Sequence, residues 1–207
     1  MESQYYPILP AKTIKFILHA LQPKVREFKK GELILWKETN ENRLCLLLKG
    51  TAYLCVENEY AAKQLLDFFI KGQIFCHEMM PNPNNGHCFI QAKYPCSVAY
   101  LSYQDLMEYI SKNSATELSE VFQNIFRTII SARNEHCHML QQKNIRGKLM
   151  AFFHYQRTLQ NSRLIHVPIP YSDLADYLTI DRSAMMTELT KMHEEGLIEK
   201  NQHTIKL

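Results

Sequence analysis

Long apolar runs are missing from this sequence. None of its 207 residues form anything near the roughly 18 consecutive apolar positions that a membrane-spanning helix requires. The opening Met1-Glu2-Ser3-Gln4 also lacks the basic-then-apolar layout of a secretory signal, so a soluble, cytoplasmic chain is expected. A block of one charge is missing too. The 24 Lys and Arg against 21 Asp and Glu leave a net +3, and the basic and acidic counts stay close along the chain, 13 and 11 over 1–115, 2 and 3 over 116–142, and 9 and 7 over 143–207. Nucleic-acid binding would therefore have to rest on a local motif rather than on bulk charge. Cys45, Cys55, Cys76, Cys88, Cys96 and Cys137 include no CxxC pair, and a chain this long buries its own core, so reduced thiols are expected. The HxH pair, His136-Cys137-His138, lies beyond the early strand-forming segments that a metal-triad barrel would use, and no serine or cysteine sits in a nucleophile elbow beside a base, which leaves both metal-triad and nucleophilic catalysis without a supporting motif. No internal repeat or low-complexity tract is present. With 46% hydrophobic and 22% charged residues the composition is that of a folded globular protein.

Glycine is scarce, and its distribution is informative. Gly31, Gly50, Gly72 and Gly86 punctuate the first half, whereas Gly147 and Gly196 stand alone in the second. Between the early glycines lie short segments of strand formers, 33–36, 44–48, 51–56, 65–70, 87–92 and 96–101, which predict an antiparallel sandwich or barrel. The stripe Ile14, Ile17, Leu18 and Leu21 predicts a helix over 11–21 that packs on it. From about Glu117 the period changes. Leu118, Phe122, Ile125, Ile129, Ala132, His136 and Met139 recur at alternating steps of four and three, a heptad seam that predicts a long dimerisation helix over 116–142. Val121, Phe126 and Ile130 widen its apolar face, so packing on the chain's own barrel is the competing use, and one face is expected to serve each purpose. Asn144 is a suitable N-cap for a further helix, which places a domain boundary near 141–143.

Residues 172–198 read as two short helices joined by a tight turn, with Ser172 capping the first and Asp181 the second. Leu174, Leu178, Ile180, Met185, Leu189 and Met192 supply one small core, and Ala175 permits close approach: helix-turn-helix spacing. The opposite face of the second helix carries Arg182, Ser183, Met186, Thr187 and Thr190, followed by Lys191, a small polar stripe suited to a major groove. Beyond Gly196, two strand-like runs flank Lys200-Asn201-Gln202-His203 and predict a two-stranded wing, with Lys200, and Ser172 at the start of the first helix, also expected at the DNA. Thr179 stands where glycine is commoner, so that turn either avoids positive φ or carries strain.

With Phe28-Lys29-Lys30-Gly31-Glu32, Leu48-Lys49-Gly50, Asp181-Arg182-Ser183-Ala184 and Glu195-Gly196-Leu197-Ile198, the chain resembles the Crp/Fnr family of bacterial transcription regulators over nearly its full length. The resemblance implies an α+β chain in three parts: an N-terminal antiparallel β jelly roll of the cyclic-nucleotide-binding type (1–115), a dimerisation helix (116–142) and a winged helix-turn-helix (143–207). It implies a homodimer on an inverted repeat of double-stranded DNA, with RNA polymerase as a further partner. It does not name the effector. Matched to the phosphate cassette of members that bind cyclic AMP, the chain keeps Glu78 but has His77 at the glycine and Gly86 at the arginine, and no Lys or Arg lies between Gly72 and Ala92. A buried phosphate without charge-assisted partners is not compensated for its lost hydration, which argues against cyclic AMP. Cys76, His77, Glu78, His87 and Cys88 are the effector-pocket candidates. Haem-binding members of the family place Cys and His near this turn, so Cys76 and His77 are also candidate metal or haem ligands. Adjacent strand residues face opposite sides, and simple burial is the preferred account of them. The iron–sulfur cysteine cluster of another branch is absent. A non-enzymatic, DNA-binding regulator is the leading expectation, a cupin-type barrel metalloenzyme with an attached helical domain is the alternative, and an effector-free scaffold barrel is a third reading.

Overall fold

The structure, a computed structural model, describes residues 8–37, 43–76, 79–81, 86–112 and 115–207, with backbone alone at Tyr103, Leu106, Ile110, 115–119 and Phe122. Two compact units divide at Ser131/Ala132. The first is built on two four-stranded antiparallel sheets. One has the order β1 (Lys24–Phe28), β8 (Cys96–Ser102), β3 (Arg43–Lys49), β6 (Ile74–Cys76); the other runs β2 (Leu33–Trp36), β7 (His87–Ala92), β4 (Thr51–Glu57), β5 (Lys63–Ile70). All six strands read from the sequence are present, together with β1 and β6.

Alternation along the strands explains the layering. Cys45, Leu47, Phe75, Val98 and Tyr100 of the first sheet meet Leu35, Ala52, Leu54, Phe69, Cys88 and Ile90 of the second in one buried interior. The intervening residues Leu44, Leu46, Ile74, Cys76, Ala99 and Leu101 point the other way, into a second core with Leu9 and Ile17. β3, β6 and β8 of the first sheet are thus buried on both faces, and that is why β3 reads Leu-Cys-Leu-Leu-Leu with no polar alternation. Helix α1 (Ala11–Leu21) covers the outer core, as its stripe predicts, with Ile17 fully buried.

α2 (Tyr103–Lys112) follows β8, its first turn capped by Ser102, whose Oγ accepts from the amides of Gln104 and Asp105 at 3.1 and 3.3 Å. α3 (Ala115–Gln141) is the expected long helix. Its Val121 and Ile125 are buried in the outer core of the barrel unit, with Ile129 packed against them. The division between units falls inside α3 rather than after it, because the last ten residues of the helix belong with the C-terminal unit.

That second unit contains α4 (Ile145–Gln160), β9 (Leu164–His166), α5 (Tyr171–Tyr177), α6 (Arg182–Glu194), β10 (Glu199–Asn201) and β11 (Thr204–Lys206). Asn144 caps α4 as expected, its Oδ1 accepting from the Gly147 amide at 2.7 Å. The three strands form one antiparallel sheet in the order β10-β11-β9. The wing is therefore three-stranded rather than two-stranded. β9 escaped the sequence reading because a three-residue strand with only Ile165 buried shows no period.

Gly50, in the tight turn between β3 and β4, has φ +89°, and a Cβ there would stand 2.3 Å from the Pro95 carbonyl oxygen and 2.9 Å from Cys96 Sγ. Gly31 has φ +85° but open space around it. Both substitutions to alanine lose a conformation that only glycine adopts readily, at about 1 kcal/mol, and only Gly50→Ala adds a collision with fixed backbone. Urea unfolding should show Gly50→Ala destabilised by roughly 2 kcal/mol or more and Gly31→Ala by about half of that; equal losses would refute the packing account of the turn.

Candidate functional site

The segment read as a helix-turn-helix contains two short helices, α5 and α6, joined by a tight turn. Leu174, Ala175, Leu178, Met185, Leu189 and Met192 are all buried, and Ile180 in the turn is half-buried. Asp181 caps α6: its Oδ1 accepts from the Ala184 amide at 2.8 Å and from the Ser183 hydroxyl at 2.5 Å. The Ser183 hydroxyl first, and then the Ala184 amide, hold the Asp181 carboxyl below its ordinary range. A lowered folded value means that this contribution to stability is in place above the ordinary Asp range and is lost as pH falls through the lowered one. Ser172 does not cap α5. That helix starts at Tyr171 behind Pro170, without a side-chain cap, and Ser172 lies inside the first turn, donating to Asp173 at 3.1 Å. Proline supplies a preset φ beside the helix start, so the boundary sits two residues earlier than a serine cap would place it.

Thr179 is left-handed, at φ +51°. Lys148 of α4 stabilises this turn: its ammonium donates to the Leu178 carbonyl at 2.9 Å and to the Thr179 hydroxyl at 3.1 Å. Two charge-assisted bonds offset the strain that glycine would avoid. α6 ends in a Schellman-type turn, with Gly196 at φ +73° and the Leu197 amide bonded to the Met192 carbonyl at 2.9 Å.

The outer face of α6 presents Arg182, Ser183, Thr187, Thr190 and Lys191 to solvent, with Met186 half-buried between them. Its hydroxyl protons are already committed: Thr187 donates to the Ser183 carbonyl at 3.0 Å and Thr190 to the Met186 carbonyl at 3.1 Å. What these threonines offer outward is a methyl group and an acceptor lone pair, while Arg182 and Lys191 offer donors. In the wing, Lys200 Nζ stands 5.3 Å from the centre of the Tyr171 ring, on which His203 also stacks at 5.7 Å. The ring's burial pushes the Tyr171 hydroxyl above its usual range. These three side chains tie the wing to the start of α5, a connection the sequence reading did not make.

The effector-pocket candidates are not brought together. Cys76 faces the outer core under the helices, whereas Cys88 faces the barrel interior. His87 is exposed on the outside of the second sheet, 5.7 Å from the Trp36 ring. Strand alternation dictates this separation, since His87 and Cys88 are neighbours on β7. His77 and Glu78 lie outside the described residues. Among the described residues no three His, Cys, Asp or Glu side chains converge as metal ligands. All six cysteines are free thiols, five of them buried. At the position matched to the cassette arginine, Gly86 has φ +127°, and a Cβ would meet the Glu57 carbonyl oxygen at 2.2 Å. No side chain fits there. Among the described residues the interior carries one buried carboxylate, Asp67, which lies opposite Leu54 and so on the inward side of β5; its Oδ1 accepts from the Phe68 amide at 2.8 Å.

The seam positions are divided between the two units. Ile125 and Ile129 are used by the barrel, while His136 and Met139 are buried in the C-terminal unit, where His136 stacks on Tyr177 at 4.0 Å and its Nε2 bonds the Tyr177 carbonyl at 3.1 Å. Ala132 is half-buried. The side chains of Leu118 and Phe122 lie outside the described set. Among the described side chains of α3, the large apolar ones exposed are Phe126 (59% exposed) and Ile130 (56%), one step round the helix from the expected seam.

Residues 25–113 match the family model for the cyclic nucleotide-binding domain. No curated protein matches the chain. Among solved structures, a cyclic nucleotide-binding domain containing protein from Listeria monocytogenes is similar at a TM-score of 0.72 and 12% identity, over 94% of this chain and 97% of that one. A CooA mutant from Carboxydothermus hydrogenoformans gives 0.70 and 16%, over 97% and 94% of the two chains. The global regulator CLP of Xanthomonas campestris, described as responsive to c-di-GMP, gives 0.60 and 14%, over 96% and 99%. At such identities the likeness is one of fold. The barrel carries a cyclic nucleotide-binding domain signature, and the chain as a whole has the fold of Crp/Fnr-type regulators.

Proposed function

We propose that this protein is a dimeric, sequence-specific DNA-binding regulator of transcription whose barrel responds to an effector other than a cyclic nucleotide. The observation that carries this reading is the two-sided character of α6. Its inner face is buried to completion at Met185, Leu189 and Met192, while Arg182, Ser183, Thr187, Thr190 and Lys191 stand outward beside a wing. A polar face of small residues and two cations on a helix held this way enters a major groove. Arg182 is the donor suited to the acceptors of guanine, and the threonine methyls suit thymine. Lys191 and Lys200 are suited to phosphates, which position the protein without reading sequence. The similar fold of CLP, a regulator, supports the assignment.

Dimer formation is assigned to the exposed stripe of Phe126 and Ile130, since Ile125 and Ile129 are spent on the barrel. A two-fold pairing along α3 would place two recognition helices on one side of the duplex, with half-site centres about 10 base pairs apart. The effector assignment rests on charge and space. The interior surface is largely apolar, its buried carboxylate among the described residues is Asp67, and the cassette-arginine position admits no side chain. A phosphate bound at the cassette position would have no guanidinium from that position to meet it. RNA polymerase is the further partner that this reading implies.

Selection from a random DNA pool should return an inverted repeat. Arg182→Ala should lose roughly tenfold to a hundredfold in discrimination at one base of each half-site, whereas Lys191→Ala should weaken all sequences together and lower the salt slope by about one. A pool that shows no enrichment would refute the DNA-binding reading. In sedimentation, Ile130→Glu should convert the dimer to a folded monomer by burying two like charges at the interface, a cost of about 3 kcal/mol or more. Ile125→Glu should instead lower the melting temperature of the barrel; an unchanged dimer in Ile130→Glu would remove the stripe from the interface. Cyclic AMP at millimolar concentration should leave both the melting temperature and operator affinity where they were, and a saturable shift at micromolar concentration would overturn the charge argument.

A further inference from the structure

Two residues of the C-terminal unit sit where helix electrostatics disfavours them. Arg146 occupies the first turn of α4, whose first turn contains no acidic residue, and Glu195 is the C-cap of α6. A cation at a helix N-terminus and an anion at a C-terminus each oppose the macrodipole. The two are paired with each other. Arg146 Nη1 and Nη2 donate to the two carboxylate oxygens of Glu195 at 2.6 and 2.9 Å, and Nε donates to Glu188 Oε1 at 2.5 Å. One planar guanidinium thus holds α6 at two points two turns apart. The Glu195 bonds hold the guanidinium in its charged form, and the Arg146 bond holds the Glu195 carboxyl below its usual range. A recess of about 580 Å³ lined by Asn144, Ile145, Arg146 and Glu188 opens beside the pair.

Local rules broken at both ends and satisfied only across the two helices point to a role in placing α6. We propose that Arg146 is the positioning residue of the recognition helix, its fork to Glu188 and Glu195 fixing the rotation at which Arg182, Ser183 and Thr187 are presented, without itself touching DNA. This rests on the DNA-binding reading above. Rotation of α6 about its own axis would carry Arg182 and Thr187 off their bases, and a bidentate clamp opposes rotation where a single point charge does not. The fork also neutralises two of the three carboxylates of residues 182–195, which would otherwise repel phosphate.

Hydrogen exchange on the full-length protein, with operator binding measured on the same variants, tests this. Arg146→Ala and Arg146→Lys should both accelerate exchange of the α6 amides at least fivefold while leaving the barrel strands unchanged. Both should lower operator affinity about tenfold with the salt slope preserved. Glu188→Gln/Glu195→Gln should lower affinity by itself, and adding Arg146→Ala to it should cost less than a further twofold, because the partners are already gone. A salt slope reduced by about one in Arg146→Ala, undiminished in the Gln background, would make Arg146 a phosphate contact and overturn the proposal. Unchanged α6 exchange would overturn it independently of any DNA, whereas accelerated exchange in a wild-type protein that selects no DNA would leave the tie standing and refute the DNA-binding reading instead.

Discussion

The barrel unit depends on a sheet that is apolar on both faces. Because β3, β6 and β8 bury alternate residues inward against the second sheet and outward beneath helices, α1 and the first half of α3 are obligatory parts of the fold. The side of α3 bearing Val121, Ile125 and Ile129 is committed before any partner arrives. A second chain joined along α3 would have to use the remaining arc of the helix, where Phe126 and Ile130 are exposed. An interior filled by Leu, Ile, Phe and Cys side chains likewise sets the terms on which a ligand enters, since each polar atom brought in must carry its partner with it.

Strong periodicity and side-chain capping were readable in the sequence. The six strands, the α1 stripe, the Asn144 and Asp181 caps and the inner face of the helix-turn-helix all depend on residues close together in the chain, where burial period and hydrogen-bond chemistry coincide. β1 was not readable because four of its five residues are exposed, and β6 because it is three residues long. The Ser102 cap of α2 was a readable signal that went unused. Ser172 misled because a serine near a helix start competes with a proline two residues before it, and the proline set the boundary.

The candidate site was legible in part. Arg182, Ser183, Thr187 and Thr190 face outward as a 3.6-residue period requires, yet nothing local reveals that the threonine hydroxyls turn back onto the helix. The Lys148 bond across 31 residues to Thr179, and the reach of Arg146 to Glu188 and Glu195, are tertiary facts with no signature in spacing. The heptad seam marked a helix with much apolar surface, but a step pattern of four and three cannot assign each residue to the barrel, to the C-terminal unit or to a second chain. The effector cluster failed for a simpler reason: residues adjacent in a strand, such as His87 and Cys88, are divided by the sheet itself.

Gly86 bears on how this barrel could change over evolutionary time. With its Cα held against the Glu57 carbonyl, an arginine cannot be introduced by one substitution, because the backbone would first have to withdraw. Any intermediate that moved the strand approach without yet gaining the guanidinium would be less stable and no better at holding an anion. A guanidinium at this position thus requires two changes, a backbone shift and a substitution, and neither alone supplies a partner for an anion.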